Sequence, residues 1–600
     1  MMKLKAGFSD KINSDYSIFI TFPYNPNYLE LIKSLRIRAW NNNTKEWEVP
    51  YSLYSDLITM LNNNGVPYDG QGFMRSIQEL SQMVDQMQTI QKVDANVDAS
   101  VLDDVEFKTN PFIYQREGIA YGLNNDKFLL ADSPGLGKTI QSTNIARLKR
   151  GGNHCLVVVG YKSLLFNWVR EIELHTQERG YVLGQRTNKR GKLVTGKLQD
   201  RLDDLRKLDQ IEEFFIITDI TTLRQCEKEE YKKKNGKKGV NKTFFFADLI
   251  EYWCKRGEIG RVILDESHVF KGYETDQTQA LLRIKNCPYK IAMTGTPIMN
   301  KNIDLYPIMH WLGYETRDYW AFRERYCKLG GYKGKQIVGD KNNPELHHRL
   351  KQFMLRRLKD DVLDLPEKII IDEYLEMDGQ QWALYDKTRR AYQALLAQAE
   401  AQGRVNKFEL LSQNINLRKI TCHPGWYEEG YKLSVKYERI LQIIEEAVSN
   451  GQKSIVYSNF TTPFDSTDEY VNIYNMLKQY NPAMIVGDTK DRMSEIEKFQ
   501  TDPTCMVMVG SIGAMGVGIT LTAASNVIFI DEPWNQAIKD QAIDRAHRVG
   551  TKDSVNVYTL ICKDTVDEGV HKLVNKKGRL ASEIVDGVST DELVGLLKDY

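Results

Sequence analysis

Six hundred residues, 42% hydrophobic and 27% charged, suit several globular domains and exclude a disordered or fibrous chain. The net charge of +1 means that any nucleic acid has to be met by local patches and not by the charge of the whole molecule. No apolar run reaches the length of a membrane span, the start M-M-K-L-K-A-G-F-S-D has no signal-peptide core, and the eight scattered cysteines form no C-x-x-C pair, so no membrane partner is expected and a reduced, cytoplasmic setting fits.

Residues 1–65 read as a small α+β unit. The stretch 17–22 alternates like a strand, and 28–37 has helical spacing. Trp40 and Trp47 flank an Asn-rich turn, which reads as a β-hairpin, and 54–61 follows as a helix. The aromatics are either the core of this unit or, with Arg36, Arg38 and Lys45, a DNA-facing surface. Residues 66–105 read as a joint: a Met- and Gln-rich helical stretch, 73–90, followed by an acidic, poorly patterned segment.

From 106 onward, strands and helices alternate. Short apolar runs recur at 128–130, 156–159, 214–217, 262–264 and 291–293, separated by helical stretches. Fully apolar strands joined by helical crossovers make a parallel sheet covered on both faces. Two Lys/Arg-rich insertions, 186–192 and 228–238, read as solvated surface. Residues 303–430 are mostly helical, and a second strand–helix series has strands at 454–457, 484–485, 506–509, 527–530 and 555–558.

The chemistry concentrates at a few strand ends. Residues 131–139, A-D-S-P-G-L-G-K-T, stand between an apolar strand and a helix. Gly135 and Gly137 allow a tight loop whose N–H groups face an anion, Lys138 suits the β- and γ-phosphates, and the Thr139 hydroxyl suits Mg²⁺. Asp132, Ser133, Pro134 and Leu136 complete the loop, with Asp132 in a slot where a glycine is usual. Asp265 and Glu266 end the strand 262–264, the first suited to hold the metal and the second to deprotonate water. Thr294 and Thr296 end the next strand, and Arg545 and Arg548 stand three apart on what reads as one helical face.

In this order the motifs resemble the superfamily-two helicase core, and specifically the Swi/Snf family of DNA-dependent ATPases, over about 106–580. Pro111 to Gln115 looks like the adenine-recognising glutamine motif, and 132–139 is similar to the family's D-E-x-G-x-G-K-T, so Asp132 is the family's own variant. Motif Ia is resembled by 156–168, with Gly160 where proline is usual; motif Ic by 217–219; the D-E-x-H box by 265–268; and motif III by 294–300. The blocks F-M-L-R-R-L-K-D-D-V-L-D-L-P (353–366) and L-R-K-I-T-C-H-P (417–424) are similar to family-specific ones. In the second half, 454–460 resembles motif IV, 516–522 motif V with Thr520 where asparagine is usual, and 531–535 and 541–550 the last blocks. Residues 36–61, through Trp40, Trp47, Pro50 and Tyr54, resemble the HepA-related accessory domain of annealing helicases.

The resemblance implies an α/β fold of two tandem RecA-like parallel-sheet lobes with helical insertions, plus a small N-terminal α+β accessory domain. The expected boundaries are 1–65 for the accessory domain, 66–105 for a linker, 106–365 for lobe one and 366–600 for lobe two with a helical insertion at 380–430. It implies ATP and Mg²⁺ as cofactors, with Gln115 and 132–139 binding ATP, Thr139 and Asp265 holding the metal, and Lys138, Asp265, Glu266, Arg545 and Arg548 catalytic. His268, Thr294, Thr296 and Gln541 are the expected coupling residues; Lys162, Ser163, Thr218, Ser458, Thr520 and Trp534 are the expected DNA contacts. The expected activity is that of an ATP-dependent translocase on duplex or forked DNA that remodels or anneals strands, working as a monomer with no protein partner specified. The rival expectations are a strand-separating helicase of a repair or restriction system and a non-catalytic scaffold that binds DNA and keeps ATP as a structural ligand.

Overall fold

The structure is a computed structural model that describes the whole chain except residues 13, 15, 43, 90–97, 189, 190, 192, 233–237, 296–300, 331–335, 364, 403, 433, 516–518, 549, 552, 578–593, 597, 599 and 600. Contacts divide it into two compact units: residues 1–358, apart from the loop tip 134–136, and residues 359–600.

The first unit opens with an antiparallel sheet of β1 (Lys3–Phe8), β2 (Tyr16–Thr21), β3 (Ala39–Asn41) and β4 (Glu46–Pro50), in the order β1-β2-β4-β3. Trp40 lies opposite Trp47 across the hairpin. The helices Pro26–Ser34 and Tyr54–Asn63 contribute Ile32, Leu57 and Leu61 to the core. The helix Gly70–Thr89 adds Phe73, Ile77 and Leu80 to the same core, and Ser76 Oγ accepts a hydrogen bond from the Ala6 N–H at 2.9 Å. This corrects the reading of 66–105 as a joint: its first part belongs to the N-terminal core, because the helix covers the face of β1 that would otherwise meet water.

The N-terminal sheet is fastened to the rest of its unit by charge. The buried Glu48 carboxylate accepts the N–H groups of Asp10, Lys11 and Ile12, folding that loop over. The loop's carbonyls are then taken from outside. Lys341 Nζ donates to Ile12 O at 2.5 Å, Asn342 Nδ2 to Ser9 O at 2.6 Å and Arg325 Nη1 to Phe8 O at 2.9 Å. Burial pulls the Lys341 ammonium down to about 8.

The remainder of this unit is a parallel sheet. Its strands are β5 (Lys127–Leu130), β6 (His154–Val159), β7 (Gly180–Val182), β10 (Phe215–Asp219), β13 (Ile259–Leu264), β14 (Tyr289–Met293) and β17 (Met354–Leu355). Between them lie three hairpins: β8 (Gln185–Thr187) with β9 (Leu193–Thr195), β11 (Glu227–Lys232) with β12 (Lys238–Thr243), and β15 (Cys327–Gly330) with β16 (Gln336–Asp340). The seven strands run in the order β17-β5-β14-β13-β6-β10-β7, so every C-terminal end lies along one edge. β6, β10 and β13 are buried at every residue, as suits their largely apolar sequences, with His154, Thr218, Asp219 and Arg261 as the buried polar exceptions. The first basic insertion is not free solvated surface throughout, since Arg186 pairs with Asp204 at 3.1 Å.

The second unit is a six-stranded parallel sheet of β18 (Lys368–Leu375), β19 (Lys453–Ser458), β20 (Ala483–Ile485), β21 (Val507–Ser511), β22 (Ala524–Phe529) and β23 (Val555–Cys562), in the order β18-β23-β22-β19-β21-β20. Two RecA-like lobes are therefore present. β18 lies in the region read as helical, where the hairpin of β15 and β16 is also found; its exposed, mixed sequence carries no buried-strand signature. The long helices Gly379–Ala401 and Lys407–Cys422 occupy the expected helical insertion. The unit begins at Lys359, not 366, because the Lys359 ammonium is anchored on Asp544 at 2.5 Å and on His547 O at 2.7 Å.

Candidate nucleotide site

The loop 131–137 leaves the C-terminal end of β5 and enters the helix Lys138–Leu148. Gly135 (φ 87) and Gly137 (φ 75) are both left-handed, which only glycine adopts without strain. A Cβ at Gly137 would also lie 2.4 Å from Gln115 Nε2, so the loop and the glutamine helix approach each other through a missing side chain. Lys138 Nζ folds back onto Asp132 O at 2.8 Å. Gln115 is buried; its Oε1 accepts the Phe112 N–H at 3.0 Å and its Nε2 faces Tyr114 Oη at 3.3 Å.

Asp132 does not face a ligand. Its carboxylate is fully buried and accepts Arg357 N and Nε, each at 3.1 Å, Arg357 Nη2 at 2.5 Å and Gln141 Nε2 at 3.0 Å. Arg357 also donates to Tyr114 O, and to Gln141 Oε1 at 2.7 Å. The expected ATP contact at Asp132 is thus corrected. Its charge locks the phosphate loop, the glutamine helix and the segment after β17 into one buried network, to which the Ser133 N–H adds a bond to Arg357 O at 3.0 Å. Arg357 and Gln141 were not singled out from the sequence; the signal available was the second arginine of F-M-L-R-R.

At the end of β13 the half-buried Asp265 receives the Trp168 indole N–H at Oδ2 (2.8 Å) and the Glu266 N–H at Oδ1 (2.9 Å). Burial and the neighbouring Glu266 charge push this carboxyl up to about 6, while Trp168 and Lys138 pull the other way. Glu266 is held at φ 49, ψ 50, a left-handed backbone that costs a side-chain-bearing residue roughly 1–2 kcal/mol. A Cβ at Gly160 would come within 3.2 Å of Glu266 Cβ, which gives glycine a reason to stand in the slot where proline is usual. Glu266 Oε2 lies 3.2 Å from His268 Nδ1, and that nitrogen lies 3.4 Å from Thr294 Oγ1 at the end of β14. Glu266, His268 and Thr294 thus lie in line across two strand ends; Thr296 lies outside the described residues.

Burial and the neighbouring Glu266 charge raise the Asp265 carboxyl, an environment that favours a cation, and the hydroxyl of Thr139 with the carboxylate of Asp265 is a hard-oxygen set suited to Mg²⁺. The donor chemistry fits the metal, as the glycine loop fits a phosphate.

In the second lobe Arg548 Nη1 donates to Thr520 Oγ1 at 2.9 Å, Arg545 Nη1 reaches Ile519 O at 3.4 Å, and the Leu521 N–H donates to Arg545 O at 2.8 Å. Residues 519–521 and the arginine segment 545–548 are thus zipped to each other. The arginines are not on a helical face: the helix Gln536–Ile543, which carries the half-buried Gln541, ends before them, and tighter bonds such as Ala546 N–H to Ile543 O carry the chain onward in turns. Trp534 is half-buried and lies 5.0 Å from the Arg418 guanidinium, holding the 417–424 block.

The expected DNA contacts divide. Lys162 is exposed, and the side chain of Ser163 lies outside the described residues. Thr218 and Ser458 cannot present their hydroxyls to a strand. Thr218 is buried inside the last turn of β10, and Ser458 Oγ donates to the buried Asp531 carboxylate at 2.6 Å. Ser458 thereby satisfies a buried carboxylate, whereas the Thr218 hydroxyl is buried with no hydrogen-bond partner among the described residues.

Fold and site together define a phosphate-loop protein built from two RecA-like lobes. The chain matches the SNF2-related domain over residues 114–426 and the helicase conserved C-terminal domain over 435–550, and it belongs to the SNF2-related family. It is 29% identical over 508 residues to an uncharacterized ATP-dependent helicase of Mycoplasma pneumoniae, covering 81% of this chain and 44% of that protein, so it spans less than half of that relative. It is 26% identical over 589 residues to the SWI/SNF-related matrix-associated actin-dependent regulator of chromatin subfamily A-like protein 1 homolog of Caenorhabditis elegans, covering 96% of this chain and 75% of that protein. Among solved structures, the Sulfolobus solfataricus SWI2/SNF2 ATPase core in complex with dsDNA is 25% identical, covering 82% of this chain and 98% of that one with a TM-score of 0.33.

Proposed function

We propose that this chain is an ATP-dependent motor that moves along duplex or forked DNA and anneals or remodels strands. The observation that carries the proposal is the line of Lys138, Asp265, Glu266, His268 and Thr294 along the C-terminal edge of one parallel sheet, with Arg545 and Arg548 presented by a second lobe of the same kind. Lys138 would leave the loop carbonyls for the β- and γ-phosphates, and Thr139 and Asp265 would hold Mg²⁺, which when bound supplies charge neutralisation at those phosphates. Glu266 takes the proton of the attacking water and His268 holds the free edge of that carboxylate. Thr294 connects the pair to the next strand. Arg545 and Arg548 would stabilise the charge that develops in the transition state. Gln115, packed against Gly137, would read a base attached to those phosphates.

The annealing aspect rests on residues 36–61, through Trp40, Trp47, Pro50 and Tyr54, which resemble the HepA-related accessory domain of annealing helicases. The test is ATP turnover at fixed salt with no DNA and with single-stranded, duplex and forked DNA. Turnover should rise with duplex or forked DNA and vanish in Lys138→Ala and in Glu266→Gln, while Arg548→Ala should bind ATP and hydrolyse it poorly. Turnover persisting in Lys138→Ala, or failing to respond to any DNA, refutes the motor. Strand displacement on tailed duplexes would instead favour a strand-separating helicase.

A further inference from the structure

The N-terminal sheet carries a cleft of about 200 Å³ between the end of β2, the start of the helix Pro26–Ser34 and the hairpin of β3 and β4. Its walls are Phe22, Tyr24, Leu29, Trp40 and Trp47, and Lys45 stands with them. The volume is below that of a pocket for a whole small-molecule ligand and suits a single ring.

Three features separate this cleft from an ordinary patch of core aromatics. Tyr24 is 86% and Trp40 41% exposed, and neither belongs to the N-terminal core, which closes without them. The Trp40 indole N–H is already spent on Asn42 Oδ1 at 2.9 Å, so what the ring offers is its face. Trp47, 5.3 Å away between ring centroids, backs it and is itself rooted in the core. Lys45 occupies a left-handed backbone position (φ 59) in the hairpin turn, its N–H donating to Asn41 O at 2.9 Å. Glycine or asparagine would stand there at less cost, and the turn is rich in asparagine. A lysine kept at a strained position beside exposed rings is a charge placed for a partner. It has no ion-pair partner among the described residues, and the segment 36–47 carries Arg36, Arg38 and Lys45 against one acid, Glu46.

Flat ring faces with a cation at the rim match a nucleobase and its neighbouring phosphate. We propose that this cleft takes one unpaired base of a DNA single strand, stacked on the exposed faces of Trp40 and Tyr24, with Lys45 on the adjoining phosphate. The inference rests on the DNA-motor reading and adds to it a contact that duplex alone cannot make, because paired bases do not present their faces. Through the Lys341, Asn342 and Arg325 anchors the cleft belongs to the same compact unit as the phosphate loop.

The experiment uses the full chain, with fluorescence anisotropy of labelled oligo-dT, an abasic strand of equal length and a duplex, and thermal unfolding as the fold control. Trp40→Ala should weaken oligo-dT binding roughly tenfold, the worth of one stacked base. Lys45→Gly relieves the backbone and removes the charge, so it should leave the fold intact while lowering the slope of log affinity against log salt by about 0.7. Wild type should bind the abasic strand more weakly than oligo-dT, and the wild-type preference should shrink in Trp40→Ala. Oligo-dT binding unchanged in both variants, or equal binding of abasic and oligo-dT strands by wild type, overturns the cleft. If that happens while duplex still stimulates ATP turnover, the motor stands and only the cleft falls. If no DNA stimulates turnover, the motor falls whatever the variants do.

Discussion

Truncating Arg357 isolates what Asp132 does. In Arg357→Ala the Asp132 carboxylate, at 0% exposure, loses the Nε and Nη2 donors and keeps only the backbone N–H of residue 357 and Gln141 Nε2. Tyr114 O and Gln141 Oε1 each lose the Arg357 donor as well. Stranding a buried charge in this way costs about 3–5 kcal/mol, a large fraction of the roughly 5–15 kcal/mol that holds a domain folded. The urea midpoint of the first unit should fall accordingly, monitored by a probe placed in that unit. Removing both charges together, Asp132→Asn with Arg357→Met, should cost far less than the sum of the single changes, because no ion is left without a counter-ion. A coupling energy below about 1 kcal/mol in this double-mutant cycle would refute the buried network as the reason for the aspartate. So would a double variant that keeps its stability but loses nucleotide binding, since that result would return Asp132 to the ligand.

Two further outcomes follow from the bonds of Asp265 and His571. Trp168→Phe keeps most of the ring packing but removes the N–H that Asp265 accepts, a bond to a charged group worth about 1.5–3 kcal/mol, so the Mg²⁺ concentration needed for fluorescent-nucleotide binding should rise at least tenfold; an unchanged Mg²⁺ requirement refutes Trp168 as a positioning residue. His571 is raised to about 9 by Asp372 and by Glu532, which lies 2.8 Å away, against burial. A raised histidine stabilises the fold fully below its unfolded value of 6.5 and loses that contribution as pH rises through about 9. Stability of the second unit should therefore decline between those limits by about 2 kcal/mol after solvent screening, and His571→Gln should flatten the slope; an equal slope in both proteins refutes the assignment.

Much of the fold and of the catalytic edge is legible along the chain. The sequence by itself determined that 128–148 is strand, loop and helix, that Asp265 and Glu266 end a buried strand, and that Trp40 and Trp47 face each other across a hairpin. These are local properties: a run of buried apolar residues, a glycine where φ must be positive, a turn between alternating residues. Where local pattern was silent, the sequence reading erred. β18 is too exposed to look like a buried strand, and the helix Gly70–Thr89 looks like a linker until its apolar face meets β1.

Only the tertiary structure decided partners and exposure. Asp132 and Arg357 are 225 residues apart, and Trp168 and Asp265 are 97 apart; they meet because strand order and register in one parallel sheet bring their segments to the same edge. The same packing turned Thr218 and Ser458 inward, and it set Glu266 in a backbone conformation that its residue type does not favour. Side-chain chemistry can be written in a short stretch of sequence, but burial and pairing are properties of the whole sheet, and they settle which of those side chains remain available to a ligand.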